Sequence, residues 1–191
     1  MLLLLSTMIG LGLIVGALAG GSLKGLRDIH FRLTWVLFVS VGVALLPLFI
    51  DSISKQRRAI ELVAFIGVLV FLVVNIVTSR GEIRASLVVI GVGWALNAVV
   101  ISANGGMPLS RWAYAASGQT ERIREGFGGY YRVVLAGPKT RLSQLGDVIP
   151  VRLFRQVVSI GDIILILGVA LVIAAAMRTA RRGTPAEQPA K

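Results

Sequence analysis

Asp147, in Leu145-Gly146-Asp147-Val148-Ile149-Pro150, and Asp162, in Ser159-Ile160-Gly161-Asp162, are the side chains best placed for chemistry. Both lie close to the start of a long apolar run. Holding a carboxylate at a membrane edge is costly enough to raise the question of a role. Two neighbouring carboxylates that share one proton can activate water for attack on an amide or ester, so Asp147 and Asp162 form a candidate catalytic pair. Such a pair can also bind a cation. A structural reading stands beside the chemical one. Ser159-x-x-Asp162 has the spacing of a helix N-cap, with the acidic residue meeting the positive helix end. Asp147, within Gly-Asp-x-x-Pro, has the composition of a turn.

The rest of the composition narrows the chemistry further. Cysteine is absent and His30 is the one histidine, which removes thiolate nucleophiles, Cys-ligated metals and clustered His ligands. No metal site and no cofactor is expected. Hydrophobic residues make up 55% of the 191 residues and charged ones 15%, with a mean hydropathy of +0.83. A soluble domain carries roughly 25% charged residues, and a disordered chain lacks this hydrophobicity. The formal charge of +11 is spread between apolar runs and after the last one, where it meets lipid headgroups. No basic face or stacking platform is visible, so the bilayer is the expected partner and nucleic acid is not.

The elements that must position the aspartates follow from hydropathy. Five stretches have the length of a span: about Leu2–Gly20, Leu33–Ile50, Ile60–Thr78, Ala85–Ala103 and Ile160–Met177. The expected fold is an all-α membrane protein with five transmembrane helices and a mixed extramembrane loop. Residues 1–103 form a four-span bundle, 104–159 a loop subdomain, 160–177 the fifth transmembrane helix and 178–191 a disordered basic tail. The first run could be a signal peptide ending near Ala17-Leu18-Ala19, but no basic residue precedes it, so an uncleaved span is the preferred reading. The uncharged N-terminus ahead of Lys24, Arg27 and Arg32, and the Arg178-x-x-Arg181-Arg182 stop, favour an outside N-terminus and a cytoplasmic tail; Lys55-Gln56-Arg57-Arg58 runs against that orientation. Gly12, Gly16 and Gly20 share a helix face suited to close packing. Asn75 and Asn97, inside spans, should find hydrogen-bond partners in the bundle.

In the loop, a short helix is expected around Ser110–Arg124, followed by a hairpin built on Tyr130–Leu135 and turned by Pro138-Lys139-Thr140. Trp112, Tyr114, Tyr130 and Tyr131 would sit at headgroup depth. An apolar loop of this length is usually functional.

Asn104-Gly105-Gly106-Met107-Pro108, the Gly146-Asp147 segment and Ser159-Ile160-Gly161-Asp162, with Gly20-Gly21-x-Leu23 and Trp35, resemble an uncharacterised bacterial multi-pass membrane family, a domain of unknown function. The resemblance runs over nearly the whole chain up to Met177 and brings no established activity. A second, local resemblance is to signal peptidase II, the lipoprotein signal peptidase. The order and membrane placement of Asn104-Gly105-Gly106, Gly146-Asp147-Val148 and Ser159-Ile160-Gly161-Asp162 are similar to its substrate-holding Asn segment and its two catalytic aspartates. That resemblance implies catalysis by Asp147 and Asp162 and substrate binding by Asn104, Gly105 and Gly106. The chain departs from that family in lacking a Gly-Asn-x-x-Asp-Arg segment, in carrying Ser159 for Asn, and in its five expected spans against four.

The expected function is therefore that of a multi-pass protein of the bacterial cell membrane with a polar site at its outer edge. A scaffold or ligand-binding role, with a membrane protein or lipid-linked partner, is preferred over an aspartate-dependent membrane hydrolase.

Overall fold

Apolar sequence long enough to cross hydrocarbon must satisfy its backbone internally, and the chain does so with helices. The computed structural model describes residues 2–46, 50, 57–119 and 133–182. Helix α1 spans Leu2–Leu18, α2 Thr34–Leu45, α3 Arg57–Thr78 and α4 Gly81–Asn104. After α4 come strand β1 (Met107–Leu109), helix α5 (Arg111–Ala116), strands β2 (Val133–Leu135), β3 (Ile149–Val151) and β4 (Gln156–Val158), and helix α6 (Ile160–Arg182).

Three of these helices, over Ala59–Thr78, Gly81–Asn104 and Ile160–Arg178, are long and apolar enough to cross a membrane. At 1.5 Å per residue, α1 with 17 residues and α2 with 12 reach about 25 and 18 Å, short of the roughly 30 Å hydrocarbon layer. Among the described residues, three of the five expected spans meet the length requirement. Local geometry sets the limits. A left-handed Gly20 (φ 73°) stands beyond the end of α1, and a left-handed Leu33 (φ 55°) fixes where α2 starts. Pro47 and the Lys55-Gln56 step lie outside the described residues.

The helices alternate in direction. Gly12 faces Ala170 and Ile173, and Gly16 faces Ala174 and Met177, so α1 runs parallel to α6. Gly67 of α3 faces Val36 and Ser40, and Asn75 reaches Arg32, so α2 and α3 are antiparallel. Ser79-Arg80 joins α3 to α4 as a tight helical hairpin. Gly93 lies against Gly161 and Leu165, and Ile90 against Gly168, so α4 and α6 are also antiparallel. At the far end of that pair Arg178 Nη2 meets Glu82 Oε2 at 2.9 Å.

Close packing on α6 uses Gly12 and Gly16 but not Gly20. Gly21 takes the third position, where an added Cβ would lie 2.7 Å from Met177 Cβ, and Ser22 N–H donates to the Met177 carbonyl at 2.8 Å. Asn75, 1% exposed, clamps the backbone of the chain entering α2. Its Oδ1 accepts Arg32 N–H at 2.8 Å, and its Nδ2 donates to Arg32 O at 2.9 Å and Phe71 O at 2.8 Å.

The 104–159 segment differs from expectation in several places. The helix ends at Ala116, capped by Ser117 and followed by a left-handed Gly118; residues 120–132, with Tyr130 and Tyr131, lie outside the described residues. Val133–Leu135 does not fold back at Pro138 but pairs in parallel with Met107–Leu109. The hairpin is formed instead by β3 and β4, Ile149 opposite Val158. Tyr114 is buried in the core, whereas Trp112 is exposed. Helix α6 continues to Arg182, so the first residues of the expected disordered tail are helical.

Gly16→Leu should lower the thermal midpoint in detergent, because the new side chain must displace Met177 from a filled interface, a change that typically costs roughly 1–3 kcal/mol. Gly10→Leu, where an added Cβ meets nothing within 4 Å, should leave the midpoint unchanged or raised. Equal effects of the two would show that the Gly16 face does not carry the packing.

Candidate functional site

Helix α6 is preceded by Ser159, which is fully buried. Its Oγ accepts Asp162 N–H at 2.9 Å, and its own N–H donates to Asp162 Oδ2 at 3.0 Å. This reciprocal pair satisfies two donors that a helix start leaves without intrahelical partners. Asp162 also lies at the positive helix end, where a carboxylate is favoured.

A third residue completes the unit. Asn97 of α4 donates from Nδ2 to Asp162 Oδ1 at 2.7 Å and accepts Ser159 Oγ–H at Oδ1 over 2.9 Å. Asn97 lies two turns before the end of α4, about 10 Å along the axis, so α6 starts well below that end. Only glycine allows the helices to come this near. A Cβ on Gly161 would collide with Asn97 Oδ1, and one on Gly93 would sit 2.6 Å from Gly161 O.

Asp147 reaches the same region from the loop. Its N–H donates to Pro108 O at 2.7 Å, and its carbonyl accepts Ser110 N–H at 2.9 Å, forming an isolated bridge opposite Leu109. Gly146 permits this, because a Cβ there would strike the Pro108 carbonyl. Burial, followed by the negative charge of Asp162, pushes the Asp147 carboxyl up to about 7 from an ordinary 3.8. The charge of Asp162 thus adds to the effect of burial at Asp147.

Asn104 serves elsewhere. Its Oδ1 accepts Arg141 N–H at 2.9 Å, and its Nδ2 donates to Arg141 O and Val100 O, both at 2.8 Å. The geometry repeats that of Asn75 on Arg32, and in each case a left-handed leucine, Leu142 or Leu33, follows the clamped arginine. Gly105, left-handed at φ 71°, ends α4, and Gly106 is buried in the passage to β1. The sequence pairs Asn104 with the aspartates; the structure puts Asn97 on Asp162 instead and turns the Asn104 amide to the loop. The signal for Asn97 was its amide within an apolar run. Nothing in the sequence marked Arg141 or Pro108 as the partners of these motifs.

Chemically, the arrangement contains one aspartate whose two oxygens both receive N–H groups and one that takes up a proton near neutrality. Among the described residues, no three His, Asp or Glu side chains gather as a metal's ligands would.

A carboxyl raised in the folded state binds more protons there than in the unfolded chain. The contribution of Asp147 is therefore complete below about 4 and is lost as pH rises through about 7. Stability should fall across that window by up to roughly 1.4 kcal/mol per pH unit. Asp147→Asn should flatten this part of the profile and stabilise the protein at pH 8; an unchanged profile would place the titration elsewhere.

No curated protein and no solved structure matches the chain. A match to a family does exist, and residues 28–174 take in the three motifs that build this site: the chain belongs to DUF5317, a family of unknown function.

Proposed function

We propose that this is a multi-pass protein of the bacterial cell membrane, in which the 104–159 subdomain is held over one end of the bundle and presents Asp147 as a proton-binding group to a ligand at the membrane edge. The role is a scaffolding or ligand-binding one, with a membrane protein or lipid-linked molecule as partner. The observation that carries this reading is the use of Asp162: its Oδ1 accepts from Asn97 of α4, its Oδ2 accepts the Ser159 N–H of the α6 cap, and Asn97 Oδ1 in turn accepts the Ser159 hydroxyl. Asn104, Gly105 and Gly106 are likewise taken up by the loop and the end of α4.

Alternation of direction supports five crossings, since α1 and α2 run as a five-span bundle requires. It also sets the N-terminus and the 104–159 subdomain on one side and the end of α6 on the other. With the basic residues Arg178, Arg181 and Arg182 in the cytoplasm, the subdomain lies outside. Reporter fusions at Gly118 and at the C-terminus should be active outside and inside respectively. A C-terminal reporter active outside would reverse the orientation.

One observation favours hydrolysis as the second reading: burial, and then the charge of Asp162, raises the Asp147 carboxyl to about 7, so that it can hold the proton an aspartate pair would share. The purified protein in lipid vesicles, given a lipoprotein precursor, separates the two. We expect no cleavage, and an Asp162→Asn variant that stays folded, because the Asn97 amide can flip to meet the new one. Precursor cleavage abolished by Asp147→Asn and by Asp162→Asn would establish the hydrolase instead.

A further inference from the structure

Two strongly exposed apolar side chains of the 104–159 subdomain are fixed to one hydrogen-bonded plate. Leu153, 84% exposed, occupies the Arg152–Phe154 turn at the tip of the β3–β4 hairpin, and Trp112, 71% exposed, lies on α5. Arg152 Nε donates to Ala116 O and Arg155 Nη2 to Gly118 O, each at 2.9 Å, so the hairpin tip is bolted to the end of α5. Arg155 adopts a left-handed φ of 49°, a conformation that glycine would take without strain, and its guanidinium is what reaches α5.

The plate's charge has one sign. Arg111, beside Trp112 in sequence, and Arg152 and Arg155, flanking the Leu153 turn, are exposed. Among the described residues of 104–159 the sole acidic side chain is Asp147, half-buried in the site already described. Guanidinium groups retain several donors beyond the one each carbonyl takes. Such a surface suits an acyl boundary for the apolar tips and phosphates for the arginines.

Distance allows the same partner. β4 enters α6 through Ser159 alone, and a three-residue strand is about 10 Å long. The hairpin tip is thus held within about 10–15 Å of the start of α6, comparable with the depth of a headgroup layer.

We propose that Trp112 and Leu153 insert at the headgroup–acyl boundary of the adjoining leaflet while Arg111, Arg152 and Arg155 bind the phosphates of anionic lipids. The occupant of this surface is the bilayer itself. The inference rests on the membrane reading given above.

Tryptophan fluorescence tests it in the full chain. Trp35→Phe with Trp94→Phe leaves Trp112, and Trp35→Phe with Trp112→Phe leaves Trp94 on α4. Each variant is reconstituted in phosphatidylcholine vesicles with and without phosphatidylglycerol, using brominated acyl chains and aqueous iodide as quenchers. Trp112 should be quenched by bromolipid at least twofold more than by iodide, more strongly with phosphatidylglycerol present. Leu153→Asp, an exposed position, should at least halve the bromolipid quenching. Trp94 quenched by bromolipid beside an iodide-accessible Trp112 would overturn the docking and keep the membrane reading, leaving the plate as a surface for a water-borne partner. Trp94 unquenched by bromolipid would overturn both. Equal quenching of Trp112 without phosphatidylglycerol would remove the arginines from the proposal.

Discussion

The close crossing of α4 and α6 is the constraint on which the rest of the structure depends. Two polar side chains on facing helices can bond directly only if the backbones approach, and here Gly93 and Gly161 remove the side chains that would hold them apart. Asn97 then reaches Ser159 and Asp162, and one hydrogen-bonded unit both starts α6 and ties it to α4. In surroundings poor in water, these groups would otherwise lose their partners, so the unit is worth more than the same bonds on a wet surface. Gly168 against Ile90 continues the contact, and α1 adds to it through Gly12 and Gly16 on the opposite reach of α6.

From that crossing the three polar segments acquire a common purpose. Asn104 ends α4 and holds the loop at Arg141; Gly146 lets Asp147 lie along Pro108; Ser159 and Asp162 lead the chain back into α6. Each segment completes another, and the 104–159 chain is returned to the bundle at both ends. What remains uncommitted among the described residues is the Asp147 carboxyl. Its affinity for a proton near neutrality follows first from burial and then from the negative charge of Asp162, a carboxylate that the fold needs for itself.

Much of this was legible in the sequence because apolar runs and their charged boundaries follow directly from the energetics of hydrocarbon. The runs at Ile60–Thr78, Ala85–Ala103 and Ile160–Met177 correspond to the three helices of spanning length. Gly12 and Gly16 declared a packing face by spacing, and Ser159-x-x-Asp162 declared a cap. Long-range pairing was hidden. Val133–Leu135 has strand composition whichever neighbour it takes, and its parallel pairing with Met107–Leu109 depends on a return path that no local pattern encodes. Asn104 and Asn97 look alike in sequence as amides near the end of one helix. Only the depth at which α6 begins decides which of them meets Asp162.

The central claim, that Asn97 and Asp162 hold α4 and α6 together as one unit, is tested most directly by a double-mutant cycle. Unfolding free energies of the wild type, Asn97→Ala, Asp162→Ala and the double variant would be compared in one detergent at fixed pH. Direct partners in a shared network should show a coupling of about 1–3 kcal/mol, with the double variant little worse than the poorer single one. Additive losses would contradict the claim and reduce Asp162 to a helix cap that acts without α4.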